Sequence, residues 1–222
     1  MRQELASQAL SALGIFFLLS TSSCLCPPCG PEIEAAAPVV SGSQMLIWNG
    51  DDVKGTAQGW GDCDQKPKCK VTIGLVEKEG VNGSAALRIH GLGGGWLGGG
   101  WNWFGWWPEN GGTDISQYDD VTFMVRVVAK EEKLLPDAGG VGVGLRCSNG
   151  KHSSPFIPIG QRAKNFTDGK WHKVSIPISE FRKGKEGKSF DLKSVWELNF
   201  SAWNDSSREF DLYFDDISVE KR

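Results

Sequence analysis

Short apolar runs separated by glycine or polar turns constrain the fold of this chain more than any other feature. Seven of them stand out, namely Val71–Val76, Ala85–Ile89, Val121–Val128, Val141–Cys147, Trp171–Ile178, Val195–Phe200 and Phe210–Val219. Within these runs apolar and polar residues alternate with the period of a strand that has one buried face. No amphipathic stretch is long enough for a major helix, and one short helical turn is expected around residues 178–181. The pattern predicts an all-β antiparallel β-sandwich or jelly roll.

The N-terminal residues predict export and a tether. Residues 10–19 form an apolar run that is too short to span a bilayer, and small residues follow it directly before Cys24. Residues 1–24 are therefore predicted to be a signal peptide. They resemble a bacterial lipoprotein signal, in which Cys24 would carry a lipid, so we expect either a cell-envelope lipoprotein or a secreted protein. Residues 25–43, rich in Pro, Ala, Gly and Ser, are predicted to be a flexible tether, and residues 44–222 one domain.

The net charge limits the kinds of binding partner, and the cysteines bear on the cellular compartment of the protein. With 24 basic and 27 acidic side chains the net charge is −3, so no basic surface indicates binding to nucleic acid. We expect a monomer whose only contact with a membrane is the lipid on Cys24, if that residue is acylated. Cys63 and Cys69 bracket a polar loop, and export into an oxidising compartment predicts a local disulfide between them. Cys147 is predicted to be a buried thiol.

A glycine- and tryptophan-rich stretch over residues 93–107, GGGWLGGGWNWFGWW, holds five of the ten tryptophans. Glycine lets the backbone pass close to a neighbour or a ligand, and an indole ring offers a flat apolar face with one N–H donor. Such a surface suits a polysaccharide, because sugar rings have flat apolar faces and a rim of hydroxyl groups. Trp96, Trp101 and Trp103 are the candidate platforms. The alternative is that these rings fill the core of the sandwich.

Strand alternation adds polar residues to this candidate surface, because the residues between inward-pointing apolar ones point outward. The predicted inward residues are Val121, Phe123, Val125, Val127, Val143, Leu145, Leu198 and Phe200. The outward residues include Arg126, Arg146, Glu197, Asn199 and Trp203. Charged groups can bind sugar hydroxyls in a bidentate manner while a ring stacks on the sugar. The alternative is an ordinary solvated face of a sandwich.

Residues for catalysis are not arranged in a recognisable pattern. A glycoside hydrolase needs two carboxylates roughly 5–10 Å apart across the scissile bond, and no second mid-strand carboxylate accompanies Glu197 in the sequence. His90, His152 and His172 are scattered, and the chain contains no nucleophile elbow, phosphate loop or dinucleotide fingerprint. We therefore expect no enzymatic activity. The weaker alternative is a small glycoside hydrolase centred on Glu197.

Several phrases of the sequence, in a fixed order, resemble a known family. They are MLIWNGDD at 45–52, DISQYDDVTFMVR at 114–126, DGKWHKVSIPISEF at 168–181, FDLKSVWELNF at 190–200 and FDLYFDDISVEK at 210–221. In this order they resemble non-catalytic carbohydrate-binding modules of the galactose-binding-like jelly-roll type. The nearest of these are the family 11 modules and the complex I intermediate-associated protein 30 domains. The resemblance implies an antiparallel jelly roll with a concave groove for a glucan chain.

The resemblance also implies a structural Ca²⁺ ion that joins the two ends of the domain. Its ligands would be Asp51 and Asp52 near the start and Asp215 and Asp216 in the last strand, since hard oxygen ligands suit calcium. The alternative is that Asp215 and Asp216 are solvated carboxylates at a strand end.

The sequence as a whole predicts that an exported or surface-tethered module binds a β-glucan-like polysaccharide without cleaving it. Tryptophan stacking and polar contacts would hold the polymer. The alternative function is a structural or protein-interaction jelly roll that binds no sugar.

Overall fold

A computed structural model describes the chain in ten stretches. They are residues 39–50, 56–61, 70–92, 95–102, 112–129, 141–148, 153–160, 162, 168–204 and 209–222. The chain divides into two units, Met1–Glu32 and Ile33–Arg222, and every described residue belongs to the second. The predicted signal peptide with Cys24 and the predicted Cys63–Cys69 disulfide lie outside the described residues and stay predictions. Among the helices in these stretches, none has the length and apolar character needed to cross a bilayer.

Strands make up most of the described structure. In chain order they are β1 (Val39–Ser41), β2 (Gln44–Trp48), β3 (Thr56–Gly61), β4 (Lys70–Val76), β5 (Ala86–Leu92), β6 (Gly95–Asn102), β7 (Asp120–Ala129), β8 (Val141–Cys147), β9 (Ile157–Pro158), β10 (His172–Pro177), β11 (Val195–Asn204) and β12 (Glu209–Glu220). Helical structure in the same stretches consists of two 3₁₀ turns, Val81–Gly83 and Ile178–Arg182, and the short helix α1 (Gly184–Lys188).

The strands form two sheets in which the described pairings are antiparallel. The first, called the front sheet here, has five strands in the order β3-β6-β11-β8-β9. The second, the back sheet, has seven strands. Its central strand is β12. Strands β2 and β5 pair with different parts of one edge of β12, and β7 pairs with the other edge. Outside them, β1 pairs with β2, β4 with β5 and β10 with β7. The protein is thus an all-β jelly-roll sandwich, as the spacing of apolar runs predicted.

Element positions agree with the sequence analysis except near the domain start and in the glycine-rich stretch. Each of the seven predicted runs forms a strand, and the predicted helical turn begins at Ile178. The boundary of the tether at residue 43 was wrong, because β1 lies before it and pairs with β2, with Val39 opposite Leu46. Strands β3, β6 and β9 were not among the predicted runs; in β6 the glycines remove the apolar alternation that marks a strand.

The core lies between the two sheets and confirms the predicted inward residues. Val121, Phe123, Val125, Val127, Val143, Leu145, Leu198 and Phe200 are all buried. Two aromatic pairs join one sheet to the other. Phe200 of β11 stacks on Phe214 of β12 with ring centroids 3.6 Å apart, and Trp48 of β2 packs against Trp101 of β6 with centroids 5.0 Å apart. Cys147 is also buried in this core, as predicted.

Truncating one ring of the stacked pair should test its importance for the sandwich. Replacing Phe214 with Ala should lower the free energy of unfolding by about 3–5 kcal/mol, because it removes packing and leaves a cavity. Urea unfolding followed by tryptophan fluorescence measures this change. The control is Leu75→Ala in β4, an exposed side chain, which should change stability by no more than about 0.5 kcal/mol. Equal effects of the two substitutions would contradict the proposed role of the pair.

Candidate functional site

The outer face of the front sheet carries the polar side chains that the sequence singled out. In the register of its strands, Asn102 of β6, Glu197 of β11 and Arg146 of β8 stand side by side. The next row toward the end of β11 consists of Gly100, Asn199 and Gly144. Because Leu198 and Phe200 alternate with these residues and point into the core, Glu197 and Asn199 must point to the opposite side. We call the surface formed by these six residues the front face.

Glycines on both sides of β11 give its polar side chains room to lie across the neighbouring strands. A Cβ atom on Gly100 would lie 2.5 Å from Oε1 of Glu197. A Cβ atom on Gly144 would lie 3.0 Å from Oδ1 of Asn199. Glycine at position 100 therefore allows a close approach of the Glu197 side chain, which would have to shift if a Cβ atom were present, and glycine at position 144 leaves Asn199 just enough room. The local sequence GGG at residues 98–100 and GVG at 142–144 builds a polar floor rather than a layer of side chains.

Glu197 is the buried centre of the front face. Only 1% of it is exposed, and Nδ2 of Asn199 donates a 3.1 Å hydrogen bond to its Oε1. Nε of Arg146 lies 3.6 Å from the same oxygen, while 37% of the Arg146 side chain is exposed. Burial raises the pKa of Glu197, and Arg146 and Asn199 act against that increase. The guanidinium group thus links a buried carboxylate to the surface.

Asn199 presents an acceptor that the described residues leave unused. Its Oδ1 atom is buried, and no donor in the described part of the chain lies within hydrogen-bond distance of it. Buried side-chain oxygens in folded proteins usually have a partner, so each exception requires a physical explanation. Asn199 Oδ1 is therefore an acceptor that becomes available only when a neighbouring group moves away from it.

Phe156 supplies an aromatic surface that the sequence analysis missed. It is 42% exposed, although most aromatic residues of the described chain are buried. Its Cβ would lie 3.1 Å from a Cβ atom on Gly142, and its Cδ1 3.4 Å from one on Gly144. The ring therefore packs over the glycines of β8 at the edge of the front face. The paired glycines were the available signal, since they leave space for a ring above the strand.

Two predicted residues do not belong to the front face. Trp101 was predicted as an exposed platform, but it is only 1% exposed and packs on Trp48 in the core. The reason is its register, because it lies opposite the inward-facing Leu198. Arg126 was also placed on this surface wrongly. It lies in β7 of the back sheet, where its guanidinium group is 4.2 Å from the ring centroid of Tyr213.

The other candidate tryptophans are described only in part. The backbone of Trp96 in β6 pairs with that of Trp203 in β11, six residues along the strand from Glu197. Both positions are in phase with Glu197 and Asn199. The side chains of Trp96 and Trp203, and the whole of Trp103, lie outside what the structure describes. Their role as platforms stays a prediction.

Asp215, one of the predicted calcium ligands, holds a turn in place. Its Oδ2 atom accepts 2.7 Å hydrogen bonds from the Val81 amide and the Ser84 hydroxyl, and its Oδ1 accepts one from the amide of Asp216. Asp215 is buried, contrary to a solvated strand-end carboxylate. Among the described residues no group of three or more His, Cys, Asp or Glu side chains is placed to hold a metal. Asp51 and Asp52 lie outside them, so the calcium site stays a prediction.

Comparisons with known proteins agree with this architecture. Residues 41–221 match the family model described as carbohydrate binding domain 30. The family 30 module of the cellulosomal cellulase Cel9D-Cel44B of Clostridium thermocellum is 20% identical with a TM-score of 0.53, covering 81% of this chain and 98% of that one. The family 11 module of Lic26A-Cel5E of the same organism is 15% identical with a TM-score of 0.51, covering 82% and 97%.

A larger enzyme shares the fold over part of its length. The β-1,2-glucanase of Parabacteroides distasonis is 14% identical with a TM-score of 0.55, and the match covers 79% of this chain but only 24% of the glucanase. The search of curated proteins finds no match.

The fold and the family match together define a jelly-roll carbohydrate-binding module, which confirms the resemblance found in the sequence. The chain belongs to the carbohydrate-binding domain 30 family. Carbohydrate binding is the function that this membership assigns to it.

The buried Glu197 should make stability depend on pH. Its pKa is raised above 4.5, the ordinary value for glutamate. Its contribution to stability is therefore fully present below pH 4.5 and is lost as pH rises through the raised value. The difference in free energy of unfolding between the wild type and Glu197→Gln should fall over that interval. Asp215, whose pKa burial also raises, is present in both proteins and cancels. A difference that is constant or increases with pH would contradict the assignment.

The calcium prediction has a separate test. If the ion is bound at about 100 times its dissociation constant, EDTA should lower the melting temperature by about 5–10 °C, given the stabilisation that such binding provides. Differential scanning calorimetry measures the shift, and excess Ca²⁺ but not Mg²⁺ should reverse it. A melting temperature that EDTA leaves unchanged would show that no structural calcium is present.

Proposed function

We propose that the front face binds a β-glucan-like polysaccharide and does not cleave it. The observation that carries this proposal is the buried cluster of Glu197, Arg146 and Asn199, which lies on a glycine floor beside the exposed ring of Phe156. An ordinary solvated face would instead present long polar side chains to water.

The polar groups of the floor match the hydroxyl groups of a sugar. A carboxylate accepts hydrogen bonds, a guanidinium group donates several in a fixed plane, and an amide does both. Arg146 and Glu197 bring charged groups, whose hydrogen bonds are stronger than those between neutral partners. Once ligand binding exposes it, the unused Oδ1 of Asn199 would accept a hydrogen bond from a ligand hydroxyl group. An uncharged polymer with many hydroxyl groups can form hydrogen bonds with these side chains.

Aromatic residues at the borders would hold the sugar rings. Phe156 lies beside β8, and the Trp96–Trp203 backbone pair lies six residues from Glu197, which corresponds to roughly 20 Å along β11. This length is sufficient for several sugar rings. Phe156 lies over Gly142 and Gly144, which pair with Ser201 and Asn199, so along β11 it lies between Glu197 and the Trp96–Trp203 pair. Stacking on this ring beside hydrogen bonds to the floor would hold an extended chain along the strand direction.

The names of similar proteins support a β-glucan as the ligand. The similar family 30 module comes from a cellulase, and the larger enzyme that shares the fold is a β-1,2-glucanase. Export, as predicted from residues 1–24, would bring the module to polysaccharides outside the cell. Acylation of Cys24 would keep it at the cell surface.

Binding without cleavage fits the groups around Glu197. Its contacts are with Arg146 and Asn199, and the in-phase positions of the described strands β3, β6, β8 and β11 contain no other Asp or Glu. Glycoside hydrolysis needs a second carboxylate about 5–10 Å away. A single carboxylate that is tied to an arginine supports a binding role instead.

Affinity electrophoresis tests the proposal directly. Native gels containing mixed-linkage β-glucan should retard the protein, whereas gels with xylan, mannan or galactan should retard it less. Phe156→Ala should weaken binding about tenfold, because a loss of about 1.4 kcal/mol of stacking corresponds to that factor. The matched control is Leu75→Ala, which removes an exposed apolar side chain from the back sheet and should leave retardation unchanged.

Three outcomes would contradict the proposal. Unchanged mobility in every gel would argue against sugar binding and favour a structural or protein-interaction domain. Equal losses in Phe156→Ala and Leu75→Ala would show that the front face is not the site. Release of reducing sugar by the wild type but not by Glu197→Gln would favour the hydrolase alternative.

A further inference from the structure

We propose that the back sheet carries a second binding site, for a small neutral polyhydroxylated molecule of the size of one sugar ring. A groove of about 340 Å³ lies on its outer surface, at the lower end of the roughly 300–1,000 Å³ range of ligand sites. Side chains from β2, β7, β10 and β12 line it, including Gln44, Leu46, Thr122, Met124, Lys173 and Glu220. The front face lies on the other sheet, so this site does not depend on the proposed function.

Two short hydroxyl side chains create the depression. Thr122 of β7 and Ser218 of β12 lie opposite each other in register, and both are buried. Their hydroxyl oxygens are 2.8 Å apart. Longer side chains, those of Leu46 and Met124, stand around them as walls. This small polar pair forms the bottom of the groove, where Nε2 of Gln44 donates a 2.9 Å hydrogen bond to Oγ of Ser218.

An irregularity in β12 shapes one end of the groove. The register between β12 and β7 shifts between Asp215 and Ser218, and Asp216 within this bulge has a φ of 48°. A positive φ is uncommon for a residue other than glycine. Bulges of this kind redirect side chains and are over-represented next to functional sites. Here the bulge brings Asp216 to the groove lining.

Glu220 organises the polar groups at the other end. Its Oε1 atom accepts hydrogen bonds from Thr122 Oγ1 at 3.0 Å and Lys173 Nζ at 3.0 Å, and Gln44 Nε2 lies 3.5 Å away. Lys173 also lies 3.3 Å from Oε2. The donors and acceptors are therefore held in fixed positions before any ligand arrives. Preorganised groups of this kind lower the entropy cost of binding.

The chemistry of the lining selects the ligand class. Lys173 is the only basic residue in the described lining, and its charge is paired with Glu220, so the lining offers no separate cation to attract an anion. Hydroxyl, amide, ammonium and carboxylate groups all form hydrogen bonds with a polyol. Leu46 and Met124 offer apolar contacts to the C–H face of a ring. A neutral molecule with hydroxyl groups around a compact ring matches this lining.

NMR titration of the full ¹⁵N-labelled chain tests the site, with D-glucose, D-galactose and D-xylose as separate probes. At least one sugar should cause saturable shifts of the amide signals of Thr122, Lys173, Ser218 and Glu220. Lys173→Ala should weaken that binding about tenfold, as expected for losing a hydrogen bond from a charged group. Ser218→Ala, which removes only the hydroxyl oxygen, is the second variant. Phe156→Ala, on the opposite sheet, is the matched control and should leave these shifts unchanged.

The outcomes distinguish this site from the front face. No saturable shift around the groove with any of the three sugars would overturn the proposal, even if signals near Glu197 and Phe156 respond. Groove shifts that persist at the same affinity in both Lys173→Ala and Ser218→Ala would overturn it too. Groove shifts together with unretarded mobility in glucan gels would support this site and contradict the proposed function instead.

Discussion

The contact between Phe200 and Phe214 sets the geometry on which the rest of the protein depends. Phe200 lies in the middle strand of the front sheet, and Phe214 lies in the longest described strand of the back sheet. Their contact fixes which side of each of these two strands faces the core. Since side chains alternate along a strand, Asn199 and Glu197 must point to the outer side of the front sheet when Phe200 points into the core. A shift of one residue in β11 would turn Asn199 toward the core and Phe200 away from it. The core therefore specifies the polar face.

Local patterns in the sequence predicted most strands, and these predictions succeeded where alternation is strong. In β8 and β11 the apolar residues identify the inward side, so Arg146, Glu197 and Asn199 were correctly predicted to point outward and meet there. Alternation cannot say which sheet a strand joins, because strand order depends on contacts between distant segments. Arg126 points outward as predicted, but from the back sheet, where Tyr213 and Glu79 surround it.

Glycine and irregular segments account for the other failures. In β6 glycine replaces the apolar residues that would reveal an inward side, so Trp101 could not be assigned until its pairing with Leu198 was seen. Phe156 lies just before the two-residue strand β9, where no periodicity exists to reveal exposure. Its environment comes from Gly142 and Gly144, which belong to another strand. Residue type alone suggested that tryptophans would form the platform, and it gave no reason to choose this phenylalanine.

Because Gly100 and Gly144 have no side chains, substitutions at the centre of the front face and at its margin have different effects. A methyl group at position 100 would lie 2.5 Å from a carboxylate oxygen of Glu197, so this buried side chain would have to shift to make room for it. Positions at the rim, such as Phe156, are free of that constraint because they border solvent. An exchange of the ring at position 156 would therefore alter the contacts at the margin with less disturbance of the polar groups than a side chain added at position 100.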